Sequence, residues 1–97
     1  MRLRFEWSEE KNRSNLRKHG VSFATATRVF DDPNYVTVQD REVDGEERWQ
    51  TIGRVGDFTV LLVAHTVVDD EGDFVVRIIS ARRATARERR RYETYTD

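Results

Sequence analysis

A chain of 97 residues with no cysteine is long enough for a single domain, residues 1–97, and it can form neither disulfides nor thiolate metal sites. No apolar run approaches the roughly 20 residues of a membrane span, and the charged N-terminus has no apolar secretory segment, so we expect a cytoplasmic protein. The formal net charge is only −1, because acidic loops offset seven arginines that fall between Arg77 and Arg91. This distribution predicts a polarised molecule with one basic end suited to nucleic acid.

The first third of the chain predicts a strand followed by two helices. Apolar residues alternate over 2–7, which is typical of a short strand. A serine precedes each of the segments 9–19 and 23–30, and serine is a preferred N-cap, so we expect both segments to be helical. Gly20 ends the first helix. Leu16 is the only large apolar residue inside that helix, and we expect it to hold the helix on the surface together with Trp7 and Val21.

From residue 35 onward the apolar period is two, which predicts strands. We expect four of them, at 35–39, 48–55, 58–68 and 74–80. Their predicted connections are a charged loop at 40–47, a turn at 56–57 and an acidic turn at 69–73. The capping box of Thr85 and Glu88 predicts a final helix over 86–95. The order β-α-α-β-β-β-β-α indicates an α+β fold, with an antiparallel sheet, two N-terminal helices on one face and a basic C-terminal helix.

Four segments spread over nearly the whole chain form a specific pattern. They are FEWSEEKNRSNLRKHGVSF at 5–23, VFDDP at 29–33, ERWQTIGRV at 47–55 and VVRIISARRATARERRRYE at 75–93. With these segments the chain resembles the BrnT family of bacterial type II toxins, which share the RelE-like ribonuclease fold. The resemblance implies a ribonuclease that blocks translation by metal-independent cleavage of RNA. It also implies a cognate antitoxin with a DNA-binding domain of the ribbon-helix-helix type, which would bind the chain in a hetero-oligomer and silence it.

Two residues of the last strands are the first catalytic candidates. Metal-free RNA cleavage needs a group that takes the 2′-hydroxyl proton, a group that holds the charge on phosphorus and a group that protonates the leaving oxygen. Arg77 lies mid-strand in an apolar segment, where it clamps the scissile phosphate, pairs with an acid on a neighbouring strand or lies on a solvated outer face. His65 is either a base or a satisfied, half-buried residue. Positions 65 and 77 are equidistant from residue 71, so we predict that the two side chains face each other across the hairpin.

Three residues nearer the C-terminus complete the predicted catalytic set. Arg82 anchors phosphate or lies in a solvated turn. Glu88 is the capping-box acid, or it tunes a nearby arginine or acts as a base. Tyr92 donates a proton, stacks on a base or packs the helix against the sheet. The predicted catalytic set is therefore Arg77, His65, Arg82, Glu88 and Tyr92, with no metal and no cofactor.

Further basic residues are predicted to bind RNA, namely Lys18, His19, Arg48, Arg83, Arg89 and Arg90. Each has a structural alternative: capping of the first helix for the first two, a salt bridge for Arg48, and a solvated turn or helix face for the others. The same basic surface would serve a protein without chemistry. A non-catalytic RNA-binding or antitoxin-binding module is therefore the alternative function.

Overall fold

The computed structural model describes residues 2–96 and contains five strands, three α-helices and one 3₁₀ helix. In chain order these are β1 (Leu3–Glu6), α1 (Glu9–His19), α2 (Phe23–Ala26), the 3₁₀ helix (Thr27–Asp31), β2 (Val36–Val43), β3 (Glu46–Val55), β4 (Thr59–Asp70), β5 (Asp73–Arg83) and α3 (Ala86–Thr96). The predicted caps of α1 are confirmed. Ser8 accepts a hydrogen bond from the Lys11 amide, and Gly20 adopts the left-handed conformation with φ of 70°.

The five strands form one sheet in the order β1-β5-β4-β3-β2. The α+β class and the predicted order of elements are confirmed. The sheet is mixed rather than antiparallel throughout, because β1 lies parallel to β5 at one edge. This edge pairing places Phe5 beside Val76 and Glu6 beside Arg77.

Two tight hairpins replace the longer connections expected from the sequence. The predicted loop at 40–47 is wrong, because β2 and β3 continue to a two-residue turn at Asp44 and Gly45. The second turn consists of Glu71 and Gly72 alone. All four turn residues have positive φ, which is typical of the turns that match the twist of paired strands. Because β3 is antiparallel to both β2 and β4, these two strands run in the same direction and both acidic hairpin tips project from the same end of the sheet.

Apolar side chains cover the two faces of the sheet unequally. On the first face, α1, α2 and the 3₁₀ helix bury the larger core, whose largest fully buried apolar members include Phe23, Val29, Leu61, Val63 and Ile78. On the second face, α3 packs over a smaller cluster of Ile52, Val60, Leu62 and Tyr92. The second face is therefore open beyond α3, toward the acidic hairpins.

One close approach fixes the 3₁₀ helix on the first face. A Cβ atom at Gly53 would lie 2.8 Å from the backbone oxygen of Val29. Because no side chain fits at this distance, the glycine lets the helix contact β3 directly.

A buried amide, rather than a leucine, anchors α1 to the sheet. Asn15 is 6% exposed, whereas Leu16 is 48% exposed, so the expected role of Leu16 in holding the helix is wrong. The expected contribution of Trp7 and Val21 is confirmed, because Val21 is buried in the larger core and Trp7 packs against it. The Asn15 side chain donates to the carbonyl oxygens of Val21 and Ala81, at 2.9 and 2.7 Å, and accepts from the Ala81 amide at 3.1 Å. It thereby provides hydrogen-bond partners for the N–H and C=O groups of β5 beyond the point where β1 ends. The same contacts fix the end of α1 beside that strand.

Candidate active site

An open stretch of the β5 edge forms the floor of a basic groove. The pairing between β1 and β5 ends at Arg77, so no strand of the described residues 2–96 lies beside the following residues of β5 on that side. A concave surface there is lined by Lys11, Ser14, Asn15, Lys18, His19, Ile79 and Ser80. We call it the edge groove. Its lining includes basic side chains and no carboxylate. The predicted RNA-binding residues Lys18 and His19 thus lie together on a surface whose ionisable side chains are all basic.

Arg82 lies on the same side of β5 as Ser80 of the edge groove, beyond a bulge in the strand. His65 pairs with Ile78 whereas Ala64 pairs with Ser80, so Ile79 is an extra residue in the strand. Ser80 and Arg82 then lie two positions apart on one side of β5, at roughly 7 Å by the rise of a strand. Arg82 is therefore the next side chain along the strand from the groove.

Arg82 forms a two-pronged ion pair with Glu88. Its Nη1 and Nη2 atoms donate to the two carboxylate oxygens at 2.7 and 2.9 Å. The predicted capping box is confirmed as well, because the Thr85 amide donates to Glu88 at 2.8 Å and the Glu88 amide donates to the Thr85 hydroxyl at 3.2 Å. The Arg82 hydrogen bonds, which outweigh the effect of burial, lower the pKa of Glu88 to about 2. Glu88 is therefore a fixed anion that orients Arg82.

The guanidinium of Arg82 has donors left for a second ligand. An arginine carries five N–H groups, and Glu88 with the Arg83 carbonyl uses three of them, on Nη1 and Nη2. No hydrogen bond among the described residues uses Nε. The Nε–H and the second Nη2–H form the other two-pronged side of the guanidinium, which matches the spacing of phosphate oxygens.

Arg77 lies on the second face among acids. It pairs with Glu6 of the neighbouring strand, with Nη1 3.3 Å from Oε1, which is the ion pair that the sequence left open as an alternative. The concave surface around it, the acidic hollow, is lined by Glu6, Glu46, Thr66, Val68, Asp69, Asp70, Val75 and Arg77. Four carboxylates share this hollow, so its electrostatics oppose an incoming phosphate.

The predicted facing pair of His65 and Arg77 is wrong. The turn has two residues rather than five, so the register places Arg77 opposite Thr66 and His65 opposite Ile78. Because side chains alternate along a strand, the two residues point to opposite faces. His65 is 1% exposed, its Nε2 lies 2.7 Å from the Thr51 hydroxyl oxygen, and its ring contacts Phe30. Burial lowers the pKa of His65, which is therefore a neutral core residue.

Tyr92 packs α3 onto the sheet. Its hydroxyl donates to Asp32 Oδ2 at 2.5 Å, and the guanidinium of Arg54 lies 5.9 Å from the ring centre. Burial, together with the hydrogen bond to Asp32, raises the pKa of Tyr92 to about 12. Of the alternatives for this residue, the packing role is the one that its contacts support.

The other predicted RNA-binding residues are dispersed. Arg48 approaches Glu46 at 3.6 Å on β3, and its buried Nε has no hydrogen-bond partner. Arg83 is exposed at the end of β5, and Arg89 approaches Glu93 at 3.9 Å. Arg90 is exposed on α3. The structure therefore does not gather these residues into the edge groove.

Sequence reasoning missed Lys11, Asn15 and Ser80 as parts of the groove. A signal was available for Lys11, because it precedes Lys18 by seven residues and so shares one side of a helix with it. No comparable signal placed Ser80 beside that helix. Its position depends on where β1 ends.

Basic side chains gathered on one surface are the electrostatic footprint of proteins that bind nucleic acid. A family model described as the ribonuclease toxin BrnT of type II toxin–antitoxin systems matches residues 7–88. The chain belongs to this family, which confirms the resemblance seen in the sequence. The family is one of ribonuclease toxins and implies an antitoxin protein as partner.

A solved structure supports the fold. The crystal structure of the Brucella abortus ribonuclease toxin BrnT, at 1.1 Å resolution, superimposes with a TM-score of 0.61. The match covers 88% of this chain and 99% of that one, at 23% sequence identity. No curated protein matches the sequence. Among the described residues, no helix has the length and apolar character needed to cross a membrane.

Proposed function

We propose that this chain is a metal-independent endoribonuclease that cleaves RNA in the edge groove and thereby blocks translation. The observation that carries the proposal is the meeting of Lys18 and His19 with the strand that holds Arg82, in a groove without a carboxylate. Family membership supports the ribonuclease activity. The RelE-like character expected from the sequence accords with this mechanism, in which side chains replace a metal.

In the proposed reaction the groove supplies three functions. His19 takes the proton of the 2′-hydroxyl, since histidine is the side chain best suited to proton transfer near neutral pH. The 2′-oxygen attacks phosphorus, the bond to the 5′-oxygen breaks, and that oxygen takes a proton from the ammonium group of Lys18, which lines the groove. Arg82 holds the phosphorane through Nε–H and Nη2–H, and the ammonium groups of Lys11 and Lys18 neutralise the remaining charge. The products are a 2′,3′-cyclic phosphate and a 5′-hydroxyl.

Glu88 is a positioning residue in this proposal. It holds the guanidinium of Arg82 in one orientation through two hydrogen bonds, and it fixes the start of α3 through the capping box. The proposal uses neither Arg77, which lies among carboxylates, nor His65 and Tyr92, which are buried. Catalytic roles for these three residues stay predictions from the sequence.

We further infer a cytoplasmic toxin that is silenced in a hetero-oligomer by an antitoxin of the ribbon-helix-helix type. The family supports an antitoxin partner, and the resemblance supplies its expected DNA-binding domain. A neighbouring reading frame that encodes such a domain would support this inference. Co-expression of the two proteins should restore growth to cells that the toxin alone arrests.

The direct test is cleavage of single-stranded RNA by the purified chain in the presence of EDTA. We expect cleavage to persist and to leave a 2′,3′-cyclic phosphate. His19→Ala should lower the rate by about 10²–10⁴-fold, the usual contribution of a general base. The matched control is Arg17→Ala, an exposed change on α1 outside the lining of the edge groove, which should leave the rate unchanged.

Two outcomes would contradict the proposal. Loss of all cleavage in EDTA would show that the reaction needs a metal. RNA that is bound but never cut would favour the alternative of a non-catalytic binding module. In that case expression of the chain at low level should leave growth unaffected.

A further inference from the structure

The outer face of α3 carries a second group of arginines. Arg87, Arg90, Arg91, Thr94 and Tyr95 line a shallow concave surface on the helix, which we call the helix face. All five residues are exposed. The helix face is separate from the edge groove, because the two share no lining residue.

The three arginines of the helix face form no ion pair with another described residue. The ion pairs among the described residues engage Arg4, Arg48, Arg77, Arg82 and Arg89. Arg87, Arg90 and Arg91 take part in none of them. Arg87 and Arg91 are four residues apart, and like charges at this helical spacing repel each other. A polyanion on the helix face would relieve that repulsion.

An exposed aromatic ring continues the row of arginines. Tyr95 is 62% exposed and follows Arg91 by four residues, so its ring lies one turn further along the same side of the helix. A tyrosine in solvent beside guanidinium groups offers a nucleobase a surface for stacking. Binding through charge alone would not require this ring.

The helix face lies close to the proposed cleavage site. Arg87 precedes Glu88, whose carboxylate holds Arg82. By the rise of a helix, Tyr95 lies roughly 10 Å along the axis from Glu88. A single strand of RNA that leaves Arg82 therefore needs only a few nucleotides to reach Tyr95.

We propose that the helix face is a second RNA-binding subsite, which holds single-stranded RNA beyond the cleaved phosphate. One base stacks on Tyr95, and the neighbouring phosphates lie against Arg87, Arg90 and Arg91. This inference rests on the proposed function, since it assumes that RNA is the substrate. It gives the protein a preference for long substrates over short ones, because a dinucleotide cannot reach the helix face.

The test measures binding of a fluorescent single-stranded RNA oligonucleotide at several salt concentrations, together with cleavage of a dinucleotide. The double variant Arg87→Gln, Arg91→Gln should reduce the dependence of log Kd on log salt by about 0.7 for each arginine. Tyr95→Ala should weaken binding about five-fold or more, and Tyr95→Phe should retain wild-type affinity. All three variants should cleave the dinucleotide as the wild type does.

The matched control is Arg13→Gln, Arg17→Gln. These arginines are exposed on α1 at the same spacing and line neither the edge groove nor the helix face. Circular dichroism of each variant is the check that it retains its helices. The proposal is overturned if the helix-face variants bind the oligonucleotide with wild-type affinity and salt dependence. It is equally overturned if they bind RNA normally but lose neutralisation by the antitoxin, since the helix face would then belong to that partner.

The two proposals can fail separately. If the wild type neither binds nor cuts RNA, the proposed function is wrong. If the wild type cuts RNA and the helix-face variants match the wild type on long as well as short substrates, only the second subsite is wrong.

Discussion

The edge groove and the acidic hollow lie along the same strand, and each has an arginine of β5 at its side. Arg82 is held by one glutamate and retains a pair of donors, whereas Arg77 pairs with Glu6 in a hollow that four carboxylates line. The residue type is the same in both places. The neighbouring strands and helices decide which arginine can receive a phosphate, because they surround Arg77 with four carboxylates and give Arg82 a single one, which leaves it a pair of donors.

The largest expected effect distinguishes the two arginines directly. Arg82→Ala should lower the rate of RNA cleavage by about 10²–10³-fold, since it removes a donor to the charged transition state. Arg77→Ala should leave the rate within a few-fold of the wild type. Single-turnover cleavage measures both. If Arg77→Ala is the inactive variant, the cleavage site lies in the acidic hollow and the comparison is reversed.

The second prediction concerns the anchor that positions the groove. Asn15→Ala leaves the backbone groups of Ala81 without partners in a buried place, so the free energy of unfolding should fall by about 2–4 kcal/mol. Leu16→Ala, the exposed neighbour, should cost less than about 1 kcal/mol. Urea denaturation followed by circular dichroism measures both values. Equal losses would show that the buried amide is not what holds α1 to the sheet.

The third prediction uses the acid dependence of Glu88. Its pKa is lowered from 4.5 to about 2 in the folded protein, so its stabilisation is complete above pH 4.5 and is lost as the pH falls toward 2. Because Arg82 is partly exposed, screening limits the loss to about 1–2 kcal/mol. Glu88→Gln should flatten the fall in unfolding free energy over this range. A variant with the unchanged wild-type profile would show that the ion pair contributes nothing.

The smallest effect is expected in the acidic hollow. Glu6→Gln frees Arg77 from an exposed ion pair, which is worth only about 0.2–1 kcal/mol. RNA binding at low salt should tighten by a few-fold, and the gain should vanish at high salt. Glu10→Gln, an exposed change on α1, is the control. A gain of the same size in the control would show that the tighter binding comes from the change in net charge alone.

Local chemistry in the sequence determined the ends of the helices and the order of the elements. Ser8, Gly20 and the Thr85–Glu88 box act on backbone groups within a few residues, so their effects can be read without knowing the rest of the fold. Alternating apolar residues likewise indicated the strands. The four segments that resemble the BrnT family identified it correctly, because they are specific over most of the chain.

Only the tertiary structure decided which side chains meet. A hairpin turn of two residues instead of five shifted the register, and this shift was enough to send His65 and Arg77 to opposite faces. The parallel pairing of β1 with β5 sets Glu6 beside Arg77. Because this pairing ends at Arg77, the following edge of β5 is open to Lys18 and His19. These contacts join residues more than 50 positions apart. They depend on strand register and on where an edge strand stops, which no local pattern of residues encodes.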